Sequence, residues 1–145
     1  MKPLKILTLI FIFASGMSFA QGGKMIKDKV RTLKVAFITQ ELALTSAEAE
    51  KFWPVFNEFD DKQFEIKFKK MRALKSKLEN LDTMTDKDAQ TLLNQFESAE
   101  DELSQNRKKL VQNLKGVISP VKILKLKKAE DDFNKKLLKQ YRDKP

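Results

Sequence analysis

The side chains that carry most protein chemistry are missing from this chain. Its 145 residues hold no histidine and no cysteine, which removes the usual nucleophile–base pairs and the usual transition-metal ligands together. Met25, Met71 and Met84 are scattered and read as packing residues rather than a metal site. The carboxylate pairs Asp60-Asp61 and Asp131-Asp132 are adjacent in sequence. On a helix each pair would point to different parts of the surface, which does not suit paired acid–base work. No glycine-rich phosphate loop is present. The chain therefore reads as a non-enzymatic protein without cofactor or metal. Its best candidate site is a binding surface, Phe64, Ile66 and Phe68 interleaved with Lys62, Lys67, Lys69 and Lys70. Apolar side chains there would hold unfolded segments, and the lysines would attract acidic ones and speed encounter. Core packing, a dimer interface and ion pairs between helices are the competing uses of the same residues.

Four helices must position these residues. Only four glycines and four prolines occur, too few for a turn-rich β fold, and Lys, Glu and Leu favour helices. The first helix is expected over about 24–42, with Ile26, Val30, Leu33 and Phe37 on one face. The second is expected over about 45–81, opened by Thr45 and Glu48 as a capping box. Pro54 falls inside it and should cost a backbone hydrogen bond and produce a local kink, or else the helix starts nearer Phe52. Its apolar face is Phe52, Phe56, Phe59, Met71, Leu74, Leu78 and Leu81. The third, about 85–115, starts at Thr85 and carries Ala89, Leu92, Phe96, Ala99, Leu103, Leu110 and Leu114. Asn106 interrupts that stripe, so looser packing is expected there. Gly116 ends it. Ser119 and Pro120 open a fourth helix over about 120–141, with Leu126, Ala129, Phe133, Leu137 and Tyr141 on one face.

One hexapeptide resists this pattern. Phe64-Glu65-Ile66-Lys67-Phe68-Lys69 alternates with period two, a strand signal. Its shortness and its place inside a helical pattern keep it helical. At about 100° per residue, Ile66 and Phe68 then fall on nearly opposite edges of the helix.

The charges support an antiparallel hairpin. Segment 48–61 is acidic, 62–77 basic, 79–104 acidic and 107–115 basic. Folding the chain back near residue 83 sets each block beside one of opposite sign. The pairing would remove most of the basic surface from the middle of the chain. The remaining cationic excess lies in the first and fourth helices, where contact with an anionic membrane surface is a further expectation.

Residues 1–20 read as a secretory signal peptide. Lys2 and Lys5 precede the apolar run Ile6–Ala14, and Ser18-Phe19-Ala20 supplies small residues for cleavage after Ala20. Residues 21–145 then form one exported domain without disulfides. The full chain has a net charge of +9, which becomes +7 without Lys2 and Lys5 of the leader; in an exported protein this points away from nucleic acid and toward anionic lipid or acidic polypeptide.

Leu44-Thr45-Ser46-Ala47-Glu48 and Ile118-Ser119-Pro120-Val121-Lys122 resemble the two Leu-Thr-x-x-Gln boxes of the Spy/CpxP family of periplasmic proteins. Leu33–Thr39, Glu48–Pro54 and Leu124–Leu138 resemble a Bacteroidetes-type subgroup described as sensors of extracytoplasmic-function sigma factors. The resemblance implies an all-α fold of four helices built on a long antiparallel hairpin, dimerised into a curved cradle in the periplasm. It implies ATP-independent chaperoning of unfolded envelope proteins, or regulation of a sensor kinase or anti-sigma factor. The closing glutamine of each box is replaced, by Glu48 in one and Lys122 in the other. Glu48 preserves the reciprocal cap, whereas Lys122 puts a cation at a helix N-terminus, where the dipole disfavours it.

Overall fold

Capping residues set the helix starts. In the computed structural model, which describes residues 18–143 and side chains from Lys27 onward, Thr45 Oγ1 accepts from the Glu48 amide at 3.1 Å. The Thr45 amide in turn donates to Glu48 Oε1 at 3.1 Å. Thr85 Oγ1 accepts from the Asp88 amide, and Ser119 Oγ from the Lys122 amide at 3.3 Å. Each supplies a partner that the first helical turn lacks. The helices that follow are α1 (Ser18–Leu42), α2 (Ser46–Phe64), α4 (Asp86–Leu114) and α5 (Pro120–Arg142). A short α3 (Arg72–Ser76) stands between α2 and α4. No strand occurs among the described residues, so the fold is all-α. Most of the expected leader, residues 1–17, lies outside the described residues, as do the side chains of Met25 and Ile26.

The expected second helix is not uniform. After α2, Glu65–Met71 is a π-helix and Lys77–Thr83 is a 3₁₀-helix that contains Asn80 at φ −110°, ψ 26°. The phase of the apolar residues accounts for the wide turn. Ile66 is fully buried, and the next residue packed on the same cluster is Met71, five positions on. An α-helix returns to the same face after three or four residues, whereas a π-turn bonds i to i+5. In α geometry Lys70 would face the core; the wide turn brings Met71 there instead. α2 starts after the Thr45 cap rather than nearer Phe52 and continues past Pro54 without a break.

Two units pack separately. One comprises Leu42–Lys128; the other comprises residues up to Glu41 together with those from Ala129 onward. In the first, Phe52, Phe56 and Phe59 are buried. Phe52 and Phe56 stack at 5.5 Å, and Trp53 meets both edge-on. Leu92, Ala99, Leu110 and Leu114 of α4 are buried as well. Beyond this aromatic row, Ile66, Leu74, Leu92 and Ala99 form a second cluster that Met71, Met84, Phe96 and Leu103 cover.

Pairs across the seam fix an antiparallel order. Lys109 Nζ donates to Glu58 at 3.0 Å and Lys70 Nζ to both Glu102 oxygens at 2.8 Å. These are ion pairs of the kind that the alternating charge blocks imply. Asn106 does not loosen the seam as expected. Its Nδ2 donates to the Phe59 carbonyl at 3.1 Å and to Gln63 Oε1 at 3.4 Å. Next to it the Arg107 guanidinium lies 4.6 Å from the Phe59 ring centroid, a cation–π contact.

In the other unit Ile38, Ala129 and Phe133 are buried, and Phe37 meets Phe133 at 5.8 Å. The interior face of α1 is rotated from the expected stripe. Ile38 is fully buried while Leu33 is 47% exposed. Apolar residues occupy two neighbouring stripes of α1, and spacing alone does not rank them. On α5, Tyr141 of the expected stripe is 62% exposed.

Gly116, just past the end of α4, has φ +86°. A Cβ there would meet no atom within 4 Å, so the backbone alone demands glycine. Gly116→Ala is therefore expected to cost about 1–2 kcal/mol in urea unfolding, whereas asparagine, which tolerates this conformation, should cost less.

Candidate protein-binding face

The hexapeptide 64–69 and its lysines do not form one surface. Ile66 is fully buried in the cluster with Leu74, Leu92 and Ala99, so it is a core residue and not a binding residue. Phe64 and Phe68 stack at 4.7 Å with 27° between their rings. Phe68 is 57% exposed and Phe64 half-buried. Since Phe68 stands two residues from Ile66, burying one turns the other outward. The exposed part of the hexapeptide is thus an aromatic platform with Lys67 and Lys69 in the same turn.

The lysines divide in a similar way. Lys70 is held by Glu102 and does not belong to an open cationic surface. The Glu102 carboxyl lies below the usual value of 4.5, first because it accepts from Lys70, with a smaller electrostatic contribution from Lys62. Lys62, Lys67 and Lys69 are exposed, as are Arg72, Lys75 and Lys77 further on. Among the described residues, Lys67, Lys69, Arg72, Lys75 and Lys77 have no ion-pair partner. Neutralisation across the seam is therefore weaker than the charge blocks imply, and a basic surface persists around Phe68. Leu78, Leu81 and Leu93 are 42–56% exposed on the same unit. A shallow groove of about 490 Å³ also runs along the seam, lined by Ala73, Thr91, Asn94, Gln95 and Ser98 and flanked by the Lys70–Glu102 pair.

Of the expected cap residues, Thr45, Glu48 and Ser119 make capping hydrogen bonds and Pro120 opens α5, while Leu44 is half-buried beside them in the chain. One connection among them was not legible. Lys122 Nζ donates to Glu48 Oε1 at 2.7 Å and to the Ala43 carbonyl at 3.0 Å. The two residues that depart from the glutamine boxes therefore pair with each other.

Among the described residues, no group of three or more His, Cys, Asp or Glu side chains is placed to hold a metal ion. No described helix is long and apolar enough to cross a membrane. No family model matches the chain, and neither a curated protein nor a solved structure shows significant similarity to it.

Proposed function

We propose that this chain is an exported, non-enzymatic protein of the Spy/CpxP kind that binds unfolded or partner proteins of the bacterial envelope, acting as a homodimer in the periplasm. The observation that carries the reading is the Phe64–Phe68 stack, with Phe68 exposed, amid Lys67, Lys69 and Arg72. Large exposed aromatic surface is costly to keep in water unless something covers it, and surrounding cations favour acidic chains and raise encounter rates. A dedicated regulator of an anti-sigma factor or sensor kinase would use the same surface on a single partner.

Suppression of aggregation separates the two. Light scattering of an unfolding acidic client, with molar mass measured in parallel, is expected to fall near stoichiometric ratios of dimer. Phe68→Ala is expected to raise the ratio needed about tenfold, as loss of an aromatic hot spot does. No suppression by the folded protein would discard the chaperone reading and leave the regulator.

A further inference from the structure

From the contacts around Lys122 we infer that Glu48 and Lys122 form an acid-released latch that fixes the start of α5 to the α1–α2 junction. One ammonium group reaches two structural features. It accepts no bond itself; it donates to the carboxylate that closes the α2 cap and to the carbonyl of Ala43. Ala43 follows the end of α1 and has φ 48°, a conformation in which a side chain is disfavoured. Its carbonyl therefore belongs to a turn that needs external support. Lys122 and Glu48 are only 23% and 22% exposed, so water screens the pair less than it screens Glu58–Lys109, whose side chains are 63–70% exposed.

The arrangement is reciprocal. Lys122 lies in the first turn of α5, where a cation opposes the helix dipole. Glu48 offsets that by standing against it, while its own carboxylate also receives the Thr45 amide at 3.1 Å. The groups that set this carboxylate are Lys122 from α5 and the amide and hydroxyl of Thr45 from its own cap. Together they hold its pKa below 4.5, with the Lys122 hydrogen bond foremost. A carboxyl with a lowered folded pKa contributes stability above its unfolded value, and that contribution disappears as pH falls through the folded value. Protonation of Glu48 thus removes the ionic partner of Lys122 and weakens the bond from the Thr45 amide, while the Ser119 cap does not involve this carboxylate. Ile118 and Leu126, both buried beside the start of α5 along the chain, are the residues whose packing would loosen.

Hydrogen exchange on the purified full chain tests the latch. At neutral pH, Lys122→Gln and Glu48→Gln are each expected to lower the protection of amides 119–126, and the double variant to lower it no further than the worse single one. On acidification below 4.5, the usual carboxyl value from which Glu48 is lowered, the unsubstituted protein should lose protection until it matches Glu48→Gln, whose own protection changes little. Two results would overturn the proposal. One is the unsubstituted protein and Glu48→Gln losing protection in parallel on acidification, since other carboxylates such as Glu102 would then be responsible. The other is single effects that add in the double variant, since the two residues would then act independently.

Discussion

Ile66→Ala is expected to lower the free energy of unfolding by about 2–5 kcal/mol, while Phe68→Ala, two residues on, stays within about 0.5 kcal/mol. Ile66 has no exposed surface and is surrounded by Leu74, Leu92, Ala99 and Met71, so truncation leaves a cavity between two helices that cannot close it. Phe68 is 57% exposed and loses mainly its stacking on Phe64. A small domain is stable by about 5–15 kcal/mol in all, so the first change removes a large share. Urea unfolding followed by circular dichroism reads both, and an unchanged slope would show that stability moved rather than cooperativity. The same pair separates folding from binding. Phe68→Ala should keep the fold and weaken client binding about tenfold; if it left both unchanged, the aromatic platform would not be the binding face. Equal losses of stability for the two variants would contradict the division of the hexapeptide into core and surface.

That division shows where the sequence could be read and where it could not. Kept helical at about 100° per residue, residues 64–69 place Ile66 and Phe68 on nearly opposite edges of the helix, and the structure has one buried and the other exposed. Spacing does not say which side is buried, because both residues are large and apolar and both have charged neighbours along the chain. The deciding quantity is the neighbour across the seam, Leu92 or Ala99, and such contacts are non-local. Helix starts were legible because a cap is local, with Thr45 and Glu48 three residues apart and each bonding the other's backbone. The Lys122–Glu48 bond joins positions 74 residues apart. From the sequence, Lys122 showed only its unfavourable place at a helix start. The charge blocks were legible as blocks, and Glu58–Lys109 and Lys70–Glu102 are pairs of the kind they imply. Most of the lysines and arginines in 62–77 nevertheless stay in water, since long exposed side chains gain little by pairing.

The phase slip at the π-turn makes the last expectation the most discriminating. Deleting Lys69 shortens the step from Ile66 to Met71 from five residues to four, which an ordinary α-turn spans with both side chains facing the seam. Phe68 remains two residues from Ile66 and still points outward. This deletion is expected to change stability by no more than about 1 kcal/mol, in the range of ordinary surface changes. Deleting Gln95 from α4 has the opposite character. Leu92 and Ala99 lie on either side of it and both are buried, and removal of one residue rotates them about 100° relative to each other. One half of the α4 stripe must then leave the seam, with a loss of several buried side chains at about 1.5–3 kcal/mol each, enough to abolish cooperative folding. Far-UV circular dichroism and urea unfolding of the two deletion variants give the comparison directly. A Lys69 deletion as damaging as that of Gln95 would mean that the wide turn is not a one-residue accommodation of two apolar phases. Contacts made by the π-turn itself would then have to hold the Phe64–Phe68 platform in place, and the search for the binding determinant would move from Phe68 to the backbone beneath it.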